Sequence, residues 1–74
     1  MHKYKIELVT TSDIVKFVNI ASTEKGDVKL IDDTGFCVSG KSLLGAMATV
    51  EWSSLYCVSE DDIYMKIKQF CMEE

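Results

Sequence analysis

Arginine and proline are both absent from this chain of 74 residues, and histidine occurs once, at His2. With no proline, no repeat and no low-complexity run, nothing in the chain suggests a linker. The lysines, from Lys3 and Lys5 through Lys41 to Lys66 and Lys68, are dispersed, and the net charge is −4. Nucleic-acid binding leans on a concentrated basic footprint, so no nucleic-acid partner is expected. Cys37, Cys57 and Cys71 are odd in number and lack C-x-x-C spacing. That excludes a disulfide framework and a zinc site, and leaves three small buried hydrophobes in a reduced compartment. His2 sits at a terminus expected to fray, so a catalytic Cys–His pair using it is not expected and nucleophilic catalysis has no visible base. No catalytic, cofactor-binding or metal-binding residue is assigned. No apolar run approaches the roughly 18 residues of a membrane span. Met1-His2-Lys3-Tyr4-Lys5 lacks the apolar core of a signal peptide, so a cytoplasmic protein is expected, without a membrane partner.

What is present is an ordinary globular composition, 47% hydrophobic and 27% charged, long enough for one domain over 1–74 and one small core. Tyr4, Ile6 and Leu8 alternate with polar neighbours and predict a half-buried strand. Ser12 or Asp13 is the expected cap of a helix whose Ile14, Phe17, Val18 and Ala21 form one apolar stripe, with Gly26 ending it. Residues 27–32 and 36–38 read as strands around an Asp33-Thr34-Gly35 turn, together a hairpin. Ser42 is the expected N-cap of a short helix carrying Leu43, Leu44 and Met47. Residues 54–58 read as a fourth strand, and Ser59 with Asp62 as the cap of a final helix whose inward face is Ile63, Ile67 and Phe70. The order β-α-β-β-α-β-α predicts an α+β fold: a four-stranded, largely antiparallel sheet with three helices on one face.

Gly35, four residues, then Gly40-Lys41-Ser42 satisfies the phosphate-loop pattern. Such a loop turns glycine-rich backbone N–H groups toward phosphates, with Lys neutralising their charge and Ser holding magnesium. The four intervening residues, Phe36-Cys37-Val38-Ser39, read instead as the strand of a hairpin, and the chain is too short for a parallel nucleotide-binding sheet. A P-loop nucleotide-binding enzyme is therefore the outsider among the readings.

Val38-Ser39-Gly40-Lys41-Ser42-Leu43-Leu44-Gly45-Ala46-Met47 resembles the third strand and second helix of the histidine-containing phosphocarrier (HPr) family. Val18-Asn19-Ile20-Ala21-Ser22 and Asp27-Val28-Lys29-Leu30 resemble the end of its first helix and its second strand. The resemblance covers nearly the whole chain and implies an HPr-like open-faced β-sandwich of the order just given. The family carries phosphate from enzyme I to sugar-transport proteins of the phosphoenolpyruvate-dependent sugar phosphotransferase system. Its acceptor histidine opens the first helix, in a Gly-x-His-Ala-Arg-Pro-like stretch. Counting back from Val18, the histidine position falls on Thr10, the arginine position on Ser12 and the proline position on Asp13. The acceptor and its arginine are both missing, and a carboxylate at Asp13 repels phosphate.

Ser42 matches the serine that an ATP-dependent kinase phosphorylates in Gram-positive members. Its simpler role is a helix N-cap, worth roughly 1 kcal/mol, and both roles can coexist. Leu44 and Met47 are expected in the core more than Leu43, while Lys41, Leu43 and Met47 are the partner-binding candidates. Trp52 and Tyr56 fit either the core or the rim of an interface. The resemblance thus implies a bacterial HPr-like protein without carrier chemistry, a non-catalytic binding or regulatory module. The alternative is a carbon-catabolite regulator switched by phosphorylation of Ser42. Its implied partners are proteins: HPr kinase, phosphotransferase-system components or a transcription regulator.

Overall fold

The computed structural model describes residues 1–72. Four strands, β1 (His2–Lys5), β2 (Val28–Ile31), β3 (Cys37–Ser39) and β4 (Tyr56–Ser59), form one antiparallel sheet in the order β1-β4-β2-β3. Three helices, α1 (Thr11–Ser22), α2 (Leu43–Ala48) and α3 (Tyr64–Ile67), cover one face of it. A 3-10 turn, Thr49–Glu51, continues α2. The fold is α+β, an open-faced sandwich with the chain order anticipated from the sequence.

The helix-facing side of the sheet contributes Val28, Leu30 and Cys57 to the core, and Ile6 and Leu8 join them just beyond β1. Helix α1 contributes the whole predicted stripe, Ile14, Phe17, Val18 and Ala21. Ile63, Ile67 and Phe70 close the core from the α3 side, as the sequence suggested, and Phe70 meets Phe17 edge to face at 5.9 Å. The T-shaped contact lets the positive edge of one ring face the negative face of the other. It ties α1 to α3.

Several boundaries differ from the sequence reading. The first strand pairs only through Lys5; Ile6 then bridges Cys71, and the Glu7 N–H donates to the Phe70 carbonyl at 2.8 Å. Helix α1 is capped by Thr10, not by Ser12 or Asp13, and it stops at Ser22 rather than running to Gly26. Ser59 does not cap α3. It is paired in the sheet with His2 and Val28, is buried, and donates its hydroxyl hydrogen to the Asp61 carbonyl. Helix α3 starts only at Tyr64, and the Asp62 carboxylate accepts from the Tyr64 N–H at 3.1 Å. Cys57 is buried and Cys71 half-buried, but Cys37 is exposed, because β3 is an edge strand that turns it away from the helices. Burial first, then the nearby Cys71, pushes the Cys57 thiol up to about 12, so it stays protonated.

The opposite side of the sheet is bare. Register places Lys3, Val58, Lys29 and Ser39 in one row across it, and Lys5, Tyr56, Ile31 and Cys37 in the next. The Lys3 ammonium lies 4.6 Å from the centre of the Tyr56 ring. Tyr56 therefore belongs to the open face, not to the core.

Candidate functional site

Two helix starts hold the residues singled out from the sequence. At α1, Thr10 and Asp13 form a capping box. The Asp13 N–H donates to Thr10 Oγ1 at 3.1 Å, while Asp13 Oδ2 accepts from Val9 and Thr10 N–H at 3.2 and 3.3 Å. The backbone donors just outside the helix, which an incoming anion would need, are thus already bound to a carboxylate. Two shallow recesses of about 390 and 380 Å³ adjoin this helix start. Glu7 and Asp13 are among the residues lining them, and Lys5 is the one cation. Thr10 and Asp13 therefore sit in an acidic, internally satisfied corner, with Ser12 in the same first turn. Coulomb repulsion there disfavours a second anion.

At α2 the chain follows a different plan. Ser42 is the N-cap, as anticipated, its Oγ accepting from the Gly45 N–H at 3.1 Å. No acidic residue occupies the first turn, and the Ser42 side chain lies at the surface. Lys41 does not reach outward. Its ammonium donates to the Glu24 carbonyl at 2.7 Å and so pins the exit of α1 to the entry of α2. Gly40 is buried, and its N–H donates to the Val28 carbonyl at 2.7 Å. A Cβ on Gly40 would come 2.9 Å from Val28 Cγ1 and 3.1 Å from that same carbonyl. Gly35 is needed for another reason: its φ is +105°, at the hairpin turn where Asp32 accepts from the Thr34 and Phe36 N–H groups. Each residue of the phosphate-loop pattern thus has a local task, and the segment between the glycines holds β3, not a loop.

The apolar residues of α2 correct the sequence reading. Only Ala46 is buried. Leu44, expected in the core, is 83% exposed, and Met47, also expected there, is exposed at 44%, close to Leu43 at 45%. A six-residue helix has one inward side, and Gly45 and Ala46 take it because small residues let α2 lie close to β3. Beyond the helix, Val50 is exposed as well, and Trp52 stacks on Phe36 with ring centres 6.4 Å apart. Phe36 is 66% exposed despite that contact. Leu43, Leu44, Met47 and Val50 thus form an apolar surface along α2 and its continuation, with the Phe36–Trp52 pair beyond it. Sequence reasoning named Leu43 and Met47 as partner-binding candidates but gave Met47, like Leu44, to the core, because six residues are too few for periodicity to set a phase. It missed Phe36 and Val50, because two distant segments build the surface.

Among the described residues, no group of three His, Cys, Asp or Glu side chains is gathered as metal ligands, and no helix is long and apolar enough to cross a membrane. Comparison of the chain with protein-family models, with curated proteins and with solved structures finds no match.

Proposed function

We propose that this chain is an HPr-like, non-catalytic binding or regulatory module of the bacterial cytoplasm, working in or beside the sugar phosphotransferase system. The observation that carries the reading is the exposed apolar surface along α2 and its 3-10 continuation: Leu43, Leu44 and Met47 are held out to solvent by a helix that buries only Ala46, and Val50 extends them. Contiguous apolar surface of this kind commonly marks a docking site for another protein. The resemblance of residues 38–47 to the phosphocarrier family supports a partner drawn from that system. The acidic corner around Thr10 and Asp13 supports the absence of carrier chemistry. Lys41 enters as a brace beneath the surface rather than as a contact on it.

A second reading rests on Ser42, which is exposed and directly precedes Leu43. Phosphorylation there would add about −1.5 to −2 charge at the border of the apolar surface. A partner docking on α2 would sense that charge, making Ser42 a switch for carbon-catabolite regulation.

One set of incubations tests both readings, with phosphate mapped by mass spectrometry. The chain is treated with enzyme I and phosphoenolpyruvate, and separately with HPr kinase and ATP, each beside a genuine HPr. No phosphate from enzyme I is expected; transfer to any residue would overturn the loss of carrier chemistry. Phosphate on Ser42 from the kinase would establish the switch, and its absence beside a modified HPr would leave Ser42 as a helix cap. Binding to the same proteins is expected to weaken in Leu44→Glu and Met47→Glu. Unchanged binding in both would remove α2 as the docking surface.

A further inference from the structure

We propose that the open face of the sheet is a second docking surface, for a short acidic polypeptide segment lying extended across Lys3, Lys5 and Lys29. Lys3 and Lys29 flank Val58 on either side, and Lys5 flanks Tyr56 beside Ile31. All three lysines are exposed. Among the described residues the one ion pair joins Lys66 to Glu24, so no described carboxylate neutralises any of the three. Among the described residues, no Asp or Glu occupies an outward-facing position of the four strands. In a protein of net charge −4 the face is a basic island.

The island has a size. Strands lie about 4.8 Å apart, so Lys3 and Lys29 stand roughly 10 Å apart across β4, while Lys3 and Lys5 are roughly 7 Å apart along β1. An extended peptide presents alternate side chains at that same spacing of roughly 7 Å. Two carboxylates at alternate positions match Lys3 and Lys5, and an apolar or aromatic side chain beside them meets Tyr56 and Ile31. The borders set the length. Asp27 and Glu60–Asp62 adjoin one end of the central strands, and Asp32 and Asp33 follow β2 at the other. A nucleic acid or an anionic membrane carries its charge past these borders and meets repulsion, which a short acidic segment avoids. Recognition by lysine point charges, without the planar fork of arginine, also suits carboxylates held loosely at a surface. This face is turned away from the helices, so a partner here leaves α2 free.

The test is a titration of the isotope-labelled chain with a short peptide of alternating aspartate and leucine, followed by amide NMR shifts. The same peptide with asparagine for aspartate, a short oligothymidine and phosphatidylserine-containing vesicles are run in parallel. Saturable shifts confined to Lys3, Lys5, Lys29, Tyr56 and Val58 are expected, weakened by added salt and roughly tenfold in the double variant Lys3→Gln/Lys29→Gln. Both lysines are exposed, so an unchanged spectrum of the free double variant is expected to confirm that its fold is intact. Equal binding of the asparagine peptide, tighter binding of oligothymidine or vesicles, self-association of the chain through these residues, or shifts centred on α2 would each overturn the proposal.

Discussion

Helices α1 and α2 both begin with a hydroxyl cap, yet the two starts are built to opposite electrostatic ends. At α1 the cap is reciprocal: Thr10 satisfies the Asp13 N–H, and Asp13 answers with a carboxylate on Val9 and Thr10. The positive end of that helix is quenched by a permanent negative charge. At α2 a neutral hydroxyl does the work alone, no acid follows it, and the neighbouring lysine is committed to Glu24. The same local chemistry, Ser or Thr ahead of a helix, therefore leaves one start closed to anions and the other uncharged. The Gly-Lys-Ser run at α2 answers to packing. Gly40 permits contact with Val28, Lys41 braces α1, and Ser42 caps.

The largest expected effect falls on that packing. Gly40→Ala forces a methyl against the Val28 side chain and carbonyl, so a loss of about 2–3 kcal/mol in urea unfolding is expected, in the range of overpacked cores. A neutral outcome would mean that β2 and the α2 entry are not as closely apposed as described, and would reopen a functional reason for the glycine. Next comes the box at α1. Thr10→Ala combined with Asp13→Ala removes both halves of it and is expected to cost about 1–2 kcal/mol by the same measurement. A loss no larger than that of Ser42→Ala would erase the contrast between the two helix starts.

How far the sequence showed these features depends on how local their causes are. The stripe Ile14, Phe17, Val18 and Ala21 fixes its own phase over about two turns, and it appeared where expected. Gly35 and Ser42 were legible because a positive φ and an orphan N–H each call for a particular residue beside them. Thr10 was legible in principle, since Asp13 stands three residues on, but Thr10, Thr11, Ser12 and Asp13 are all good caps and only the folded chain chooses. Ser59 misled for a related reason: Ser-x-x-Asp also looked like a box, but pairing with His2 and Val28 outweighs a cap. Helix α2 is too short for periodicity to set a phase, so Leu44 was assigned inward and lies outward. The Phe36–Trp52 stack and the row of lysines across the sheet depend on strand order, which no local pattern records.

A smaller effect sharpens the comparison at α2 itself. Ser42→Ala is expected to cost about 1 kcal/mol, the ordinary worth of a lost cap. Ser42→Asp keeps an acceptor for the Gly45 N–H and adds negative charge at the helix start, so stability is expected within a few tenths of a kcal/mol of the parent. Partner binding to α2 in that variant then reports the charge alone. If Ser42→Asp unfolds the chain as readily as Ser42→Ala, an anion does not fit this helix start, and the phosphorylation reading falls with it.

The third helix start gives the smallest effect and one readable by pH. Ile63, at the N-cap of α3, has no capping side chain; Tyr4 and Asp62 serve instead. The Tyr4 hydroxyl donates to Asp62 Oδ1 at 2.9 Å and accepts from the Ile63 N–H at 3.3 Å. The bond from the Tyr64 N–H, then that from Tyr4, holds the Asp62 carboxyl below its ordinary 3.8. The folded chain therefore binds this proton less readily than the unfolded one. The resulting stability is present above pH 3.8 and is lost as pH falls through the lowered value. Tyr4 moves the other way: burial, then the bond to Asp62, raises it above 10.0. Its contribution is complete below pH 10 and is lost as pH rises through the raised value. Tyr4→Phe removes the Tyr4 share of the alkaline loss, leaving that of the buried Cys57 thiol, and takes one donor from Asp62, so the acid loss should shrink while remaining in place. Urea midpoints measured across both limbs separate the two effects. If the substitution changes neither limb, the Tyr4–Asp62 bond does not hold α3 in solution, and that helix start is capped only by the bond from Tyr64 to Asp62.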